Sequence, residues 1–311
     1  MIATAIENIP YGPDNPERSV RAGRGPMAAT DGRVGKRPHS VWLTERPPLK
    51  RKADQPAGLD LDKIVAATVR LLDAEGLAKF SMRRLAAELG VTAMSVYWYV
   101  DTKDDLLELA LDSVMAEIRL PDEPGTGTGT STGTGTSPGP GTGTGTGTGT
   151  GGGASGDWRD HLRALAHEYR ALLTGHPWVA RLMGTYINIG PHSLAFSNAS
   201  VRVMRESGLS LEQITGGLSA VFQFVYGFAT VEGLFNARCA EAGMPVDEYH
   251  QQVMSAVRGR PEFAETVENT TQVMEARGGR TIAEMRDRDF TFALDLQIAG
   301  IEAMQSHAAG R

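Results

Sequence analysis

A Leu89-Gly90-Val91-Thr92 turn followed by Ala93, Met94 and Ser95 places small or unbranched side chains at the start of a short helix, and directly behind them stand Tyr97, Trp98 and Tyr99. The chemistry such a set can do is non-covalent. Hydroxyls and slender apolar groups reach base edges and thymine methyls in a DNA major groove. Two helices joined by this turn have helix-turn-helix geometry, in which the second helix projects with its N-terminal residues toward the groove. Val96 and Val100 then face inward. Three consecutive rings exceed the core face of one short helix, so some of them point toward the DNA.

Other groups offer less. His161 and His167 are six apart, on different helix faces, and do not share a metal. Cys239 has no histidine beside it and reads as an inert buried thiol. The Gly-Thr tract from Gly125 to Gly153 lacks the preceding strand and following Gly-Lys-Ser/Thr of a phosphate loop. Arg286-Asp287-Arg288-Asp289 alternates in sign and reads as a solvated start to the last helix. No nucleophile–base pair is present, so neither enzyme activity nor a cofactor is expected.

The chain around these residues has 311 positions, 41% hydrophobic and 22% charged, with Lys+Arg 31 against Asp+Glu 37. Its single cysteine excludes an intramolecular disulfide and a multi-thiolate metal site, and fits the cytoplasm. Met1 to Pro10 lack the basic start and apolar core of a secretory signal. Residues 1–59 hold 10 Lys/Arg against 6 Asp/Glu, including Lys50-Arg51-Lys52, and every later segment is acidic. Rich in Pro and Gly and without periodicity, residues 1–58 read as a disordered basic arm, with Trp42 set to pack on the domain that follows.

From Leu59 apolar residues recur at helical spacing as far as Gly76; Ser81 caps a second helix over 82–89, Thr92 a third to about Tyr99, and Thr102 a fourth over 102–118. The tract 121–156 is a flexible linker spanning roughly 30 Å. Seven further helices are expected over 158–173, 176–183, 191–207, 210–240, 246–258, 261–277 and 284–307. The stretch 218–235 approaches membrane-span length, but Ser219, Gln223, Thr230 and Glu232 favour a buried helix of a soluble protein, and no membrane partner is expected. A helix apolar nearly all round must be buried on several sides. The last helix, with Phe290, Leu294, Ile298, Ile301 and Met304, offers a face for one half of a dimer bundle. The fold class is all-α: an N-terminal helix-turn-helix domain (59–120) and a helical-bundle ligand-binding and dimerisation domain (157–308).

The stretches Ile64-Val65-Ala66-Ala67, Gly76-Leu77, Ser81-Met82-Arg83-Arg84-Leu85-Ala86, Leu89-Gly90-Val91 and Ser95-Val96-Tyr97-Trp98-Tyr99-Val100-Asp101-Thr102-Lys103-Asp104-Asp105-Leu106-Leu107 resemble the DNA-binding domain of the TetR-type bacterial transcriptional regulators. Trp158-Arg159-Asp160-His161-Leu162-Arg163, Gly208-Leu209-Ser210-Leu211-Glu212 and Phe292-Ala293-Leu294-Asp295-Leu296 continue the resemblance through most of 59–307, leaving out the arm and the Gly-Thr tract. The resemblance implies that Arg83 reaches a guanine edge or a phosphate, that Lys103 anchors the DNA backbone, and that Ser95, Tyr97 and Trp98 are recognition-helix contacts. Thr92, Ala93, Met94 and Tyr99 complete the candidate reading surface from the turn and the aromatic run, and Ala93 and Met94 depart from the family's more polar residues, so the operator sequence does not carry over. Where the tetracycline-repressor subgroup holds a drug-chelated metal with histidines and an asparagine, this chain has Arg119, Leu182 and Leu165, which do not ligate magnesium. No metal–tetracycline complex is expected. Leu165, Tyr169, Leu182, Tyr186, Asn198 and Gln223 are the candidate lining of a mainly apolar ligand pocket.

The implied protein is a homodimeric, ligand-responsive repressor reading a pseudo-palindromic double-stranded operator and released by a small apolar effector. Two readings compete with it: a helical carrier or enzyme with a degenerate helix-turn-helix, and non-specific DNA coating through the basic arm, which carries a steep salt dependence.

Overall fold

The structure, a computed structural model, describes residues 40–43, 59–121 and 157–309. The arm and the Gly-Thr tract lie outside the described residues apart from these edges. Helix α1 (Leu61–Glu75) starts where the Asp60 carboxylate accepts the Lys63 amide at 2.8 Å. In α2 (Met82–Leu89) Ser81 is the cap, and Gly90 closes the helix at φ 67°, a left-handed conformation that costs any residue with a Cβ. Changing Gly90 to alanine should therefore lower stability by about 1 kcal/mol, read as a melting temperature lower by roughly 2–4 °C. Thr92 caps α3 (Ala93–Tyr97), and a reciprocal Thr102/Asp105 capping box opens α4 (Lys103–Met115).

Beyond the tract come α5 (Trp158–Gly175), α6 (Pro177–Met183), α7 (Pro191–Glu206), α8 (Leu211–Glu241), α9 (Val246–Arg258), a short 3-10 turn over Pro261–Phe263, α10 (Ala264–Arg277) and α11 (Ile282–Ala309). The described residues contain no strand. Several boundaries differ from the sequence reading, among them α3, which stops at Tyr97, α4, which stops at Met115, α5, which runs on to Gly175, α11, which begins at Ile282, and the predicted 261–277 helix, which begins with the 3-10 turn.

Ile64, Leu72, Leu85, Val96 and Leu106 close the core of the first four helices, and α4 carries that core onward through Leu107, Leu111, Val114 and Met115 to Leu162 and Leu165 of α5 and Leu218 of α8. One helix thus belongs to both bundles. It also hides three acids, Asp105, Glu108 and Asp112, and each holds a donor: Asp105 its own capping box, Glu108 the Ser40 hydroxyl at 2.5 Å, and Asp112 the start of α7. Ser40 and Val41 are buried and Trp42 half-buried, so the short described piece of the arm packs here as expected of Trp42.

Helices α8 and α11 correct the sequence reading. Phe290, Leu294, Ile298 and Ile301 serve the chain's own core, and of the stripe assigned to a dimer bundle only Met304 faces out. Phe292 and Leu296 are further outward apolar residues of α11. Helix α8 packs on α5, α6, α7, α9 and α11 but is not covered all round, and Val231 and Leu234 are left 69% and 60% exposed. It is the one helix, among the described residues, long and apolar enough to cross a membrane. The 286–289 run is also more than a solvated start. The half-buried Arg286 donates to Asn236 Oδ1 at 2.9 Å, Asp287 accepts from Arg170 at 2.7 Å, and Asp289 pairs with Arg277, because α5, α8 and α10 bring counter-groups that local sequence cannot show.

Candidate functional site

The exposed end of the first bundle is built by α2 and α3. Arg83, Thr92, Met94 and Tyr97 point into solvent, with Met94 66% and Tyr97 41% exposed, and Ala93, Ser95 and Trp98 are half-buried. The Thr92 and Ser95 hydroxyls lie 2.9 Å apart, so one donates to the other and the pair still has acceptor capacity for a base or phosphate. Neighbouring Arg84 is committed to Glu75 and Glu88, at 2.7 and 3.2 Å. Arg83 is the arginine left facing outward.

Two expectations change. Tyr99 does not join the exposed surface: the helix ends two residues earlier, so the ring turns inward, is 9% exposed, and donates its hydroxyl to the Leu59 carbonyl at 2.7 Å. Lys103 is half-buried, donates to the Phe80 carbonyl at 3.1 Å and sits 5.3 Å over the Phe80 ring, so it braces the turn before α2 and has only its remaining N–H groups for a phosphate.

A cavity of about 310 Å³ opens between α4, α5, α7 and α8. Tyr169, Tyr186 and Gln223 line it as expected. Leu165 and Leu182 do not, being packed into the core on other faces at 0% and 2% exposure, and Asn198 lies on the outer face of α7 beside Arg202 and Arg205. The wall is completed by residues the sequence reading missed, among them Met115, Met183, Asn188, Ser193, Phe196, Phe222 and Tyr226. The Gly190-Pro191 break before α7 is the one local signal that a loop approaches here.

Tyr169, Phe196 and Phe222 form an aromatic corner with centroids 5.2–5.7 Å apart. Burial pushes the Tyr169 phenol above its ordinary range, so it is a neutral donor, and its contact, the Met183 sulfur at 3.2 Å, is a weak acceptor that a ligand oxygen would outcompete. Among the described residues no charged side chain stands in this wall.

Two wall positions are wired to α4. The Tyr186 hydroxyl donates to Asp104 Oδ1 at 3.0 Å; burial and that carboxylate both raise its pKa. Helix α7 starts at Gly190 and Pro191 with no side-chain cap of its own, and Asp112 supplies one from α4, accepting the Ser193 amide at 2.9 Å, the Ser193 hydroxyl at 2.8 Å and the His192 amide at 3.3 Å. The Ser193 hydroxyl also lies 2.7 Å from Asn188 Oδ1, so its one hydrogen stands between two acceptors, that amide oxygen and the Asp112 carboxylate. At the far end of α4, Arg119 holds Glu168 of α5 at 2.8 Å, which keeps the Glu168 carboxyl below its ordinary range. Among the described residues no three metal-binding side chains cluster.

Residues 64–110 match the family model "Bacterial regulatory proteins, tetR family", and residues 152–305 match "Tetracyclin repressor-like, C-terminal domain". An HTH-type transcriptional regulator of Saccharopolyspora erythraea is 34% identical over 198 residues, 64% of this chain and 70% of that protein. The HTH-type transcriptional repressor DrrR1 of Streptomyces coeruleorubidus is 31% identical, over 61% of this chain and 58% of its own length. Among solved structures, the Streptomyces coelicolor TetR family protein ActR in complex with actinorhodin superposes with a TM-score of 0.54 at 25% identity, covering 80% of this chain and 99% of that one. With both halves matched in order and the all-helical architecture shared, the chain belongs to the TetR family of bacterial transcriptional regulators.

Proposed function

We propose that the protein is a cytoplasmic, non-catalytic repressor that binds a pseudo-palindromic operator as a homodimer and is released by a small, mainly apolar, uncharged effector. The observation that carries this reading is the wiring of α4: the helix that completes the core under the α2–α3 surface also holds two walls of the cavity, through Asp104–Tyr186 and Asp112–Ser193. An effector that displaces Tyr186 acts directly on α4, and one that displaces Asn188 acts on it through Ser193. It can shift the equilibrium only by its differential affinity for the two positions of that helix. The relative named a repressor and the neighbour solved with actinorhodin support the same assignment.

The reading surface in this proposal is Arg83, Thr92, Ala93, Met94, Ser95, Tyr97 and Trp98, with Lys103 in a bracing role. A second copy would cover the outward residues Val231 and Leu234 of α8 and Phe292 and Leu296 of α11, and pairing two reading surfaces matches a site with two half-sites one helical turn apart.

The test is selection of bound fragments from random duplex DNA at near-physiological salt. An inverted repeat is expected; failure of a folded, dimeric protein to enrich any sequence would overturn the reading. On the recovered site, Arg83→Ala should cost about 1–3 kcal/mol per half-site, a 5- to 150-fold loss measured by fluorescence anisotropy, with no change in melting temperature. Lys103→Ala should lower both affinity and melting temperature, since its ammonium also holds the Phe80 carbonyl.

A further inference from the structure

His176 stands where the two bundles meet, between the end of α5 and the start of α6. Its Nδ1 lies 2.7 Å from Asp73 Oδ1 on α1, and its Nε2 lies 3.1 Å from Glu117 Oε2 in the turn after α4. The same Asp73 oxygen accepts the Trp178 indole N–H at 2.7 Å, and the Trp178 ring packs edge-on against the imidazole. The His176 side chain is 13% exposed. Asp73 and Glu117 are the titratable groups that act on the ring; α5 and α6, which it joins, add only the indole.

An ionised carboxylate only accepts hydrogen bonds, and a neutral imidazole has one donor and one acceptor. Neutral His176 therefore satisfies one carboxylate and turns a lone pair toward the other. Only the imidazolium, with two N–H groups, donates to both. We infer that His176 is a proton-operated latch that ties the reading bundle, through α1 and the end of α4, to the effector bundle at α6. Neither the wiring of the cavity to α4 nor the reading surface uses this residue, so the latch stands or falls independently of the DNA-binding proposal.

The sign follows from the surroundings. Burial pulls the His176 pKa down, but the two carboxylates together outweigh it and hold the group above its ordinary 6.5. A group whose folded pKa is raised contributes stability that is complete below the unfolded value and is lost as the pH rises through the folded one. The latch is closed in mildly acidic solution and opens toward alkaline pH.

Two measurements on the full chain test this. In the unmodified protein, the His176 Cε1–H resonance should titrate above 6.5, and Asp73→Asn or Glu117→Gln should each move that titration toward lower pH; a midpoint at or below 6.5 that neither substitution shifts would overturn the latch. Thermal unfolding supplies the second. The unmodified protein should melt several degrees above His176→Gln at pH 6, with the gap closing by pH 8.5, because glutamine can serve one carboxylate at any pH but never both. The double variant Asp73→Asn, His176→Gln should lose little beyond His176→Gln alone at pH 6. A gap that is constant across the pH range, or single losses that simply add, would assign His176 a fixed structural role instead.

Discussion

Replacing Asp112 with alanine should lower the melting temperature by about 6–12 °C and uncouple the effector from the operator. Its carboxylate is 1% exposed and accepts two backbone amides and a hydroxyl at the start of a helix that has no cap of its own. Losing a cap costs about 0.5–2 kcal/mol, and stranding further buried donors about 1–3 kcal/mol, so roughly 3 kcal/mol is at stake. At about 2–4 °C per kcal/mol for a protein of this size, calorimetry reads the stated drop. The variant Asp112→Asn would keep an acceptor for Ser193 and should fall between. The opposite side of the contact offers an independent check: a Cβ on Gly190 would sit 2.2 Å from the Asp112 carboxyl carbon, so Gly190→Ala must push the carboxylate off its partners and reproduce the phenotype. An Asp112→Ala protein that melts like the parent would show that α7 is held by its packing alone.

The second large effect concerns assembly. Charging the outward face with Val231→Glu and Leu296→Glu together should yield a monomer by sedimentation, at a folding cost near zero, because both side chains are already exposed at 69% and 59%. Operator affinity should then fall by two orders of magnitude or more, since the second half-site would no longer be engaged at the high effective concentration a linked partner provides. A variant that remains dimeric would place the interface elsewhere on the chain.

What could be read from the sequence was what is decided locally. Ser81, Thr92, Thr102 and Ser210 each cap a helix by accepting an amide three residues on, so the start of every one of those helices is written in four adjacent positions. The cavity was only half legible. Tyr169, Tyr186 and Gln223 are legible as wall residues, but Asn198 belongs to the outer face of α7, whose buried side runs through Ser193, Phe196 and Ala199. Tyr97 and Tyr99 look equivalent in the sequence, and it is the end of α3 at Tyr97 that separates an exposed ring from a core one. The alternating charges at 286–289 have the same pattern whether they meet water or Arg170, Asn236 and Arg277. For the charges and the cavity wall the missing information sits on other helices, and for Tyr99 it sits at the Leu59 carbonyl 40 positions away.

The cap that Asp112 lends to α7 crosses 81 positions of chain, including the whole Gly-Thr tract. A helix whose first turn is closed from so far away gains that closure only after the distant segment has docked, and contacts of such sequence separation are made late and slowly. Folding of the effector bundle is thereby made conditional on the helix that completes the first. Cleaving the chain within the tract should leave a C-terminal fragment that becomes native only on associating with the N-terminal one, and unfolding of the intact protein should proceed as one cooperative transition rather than two.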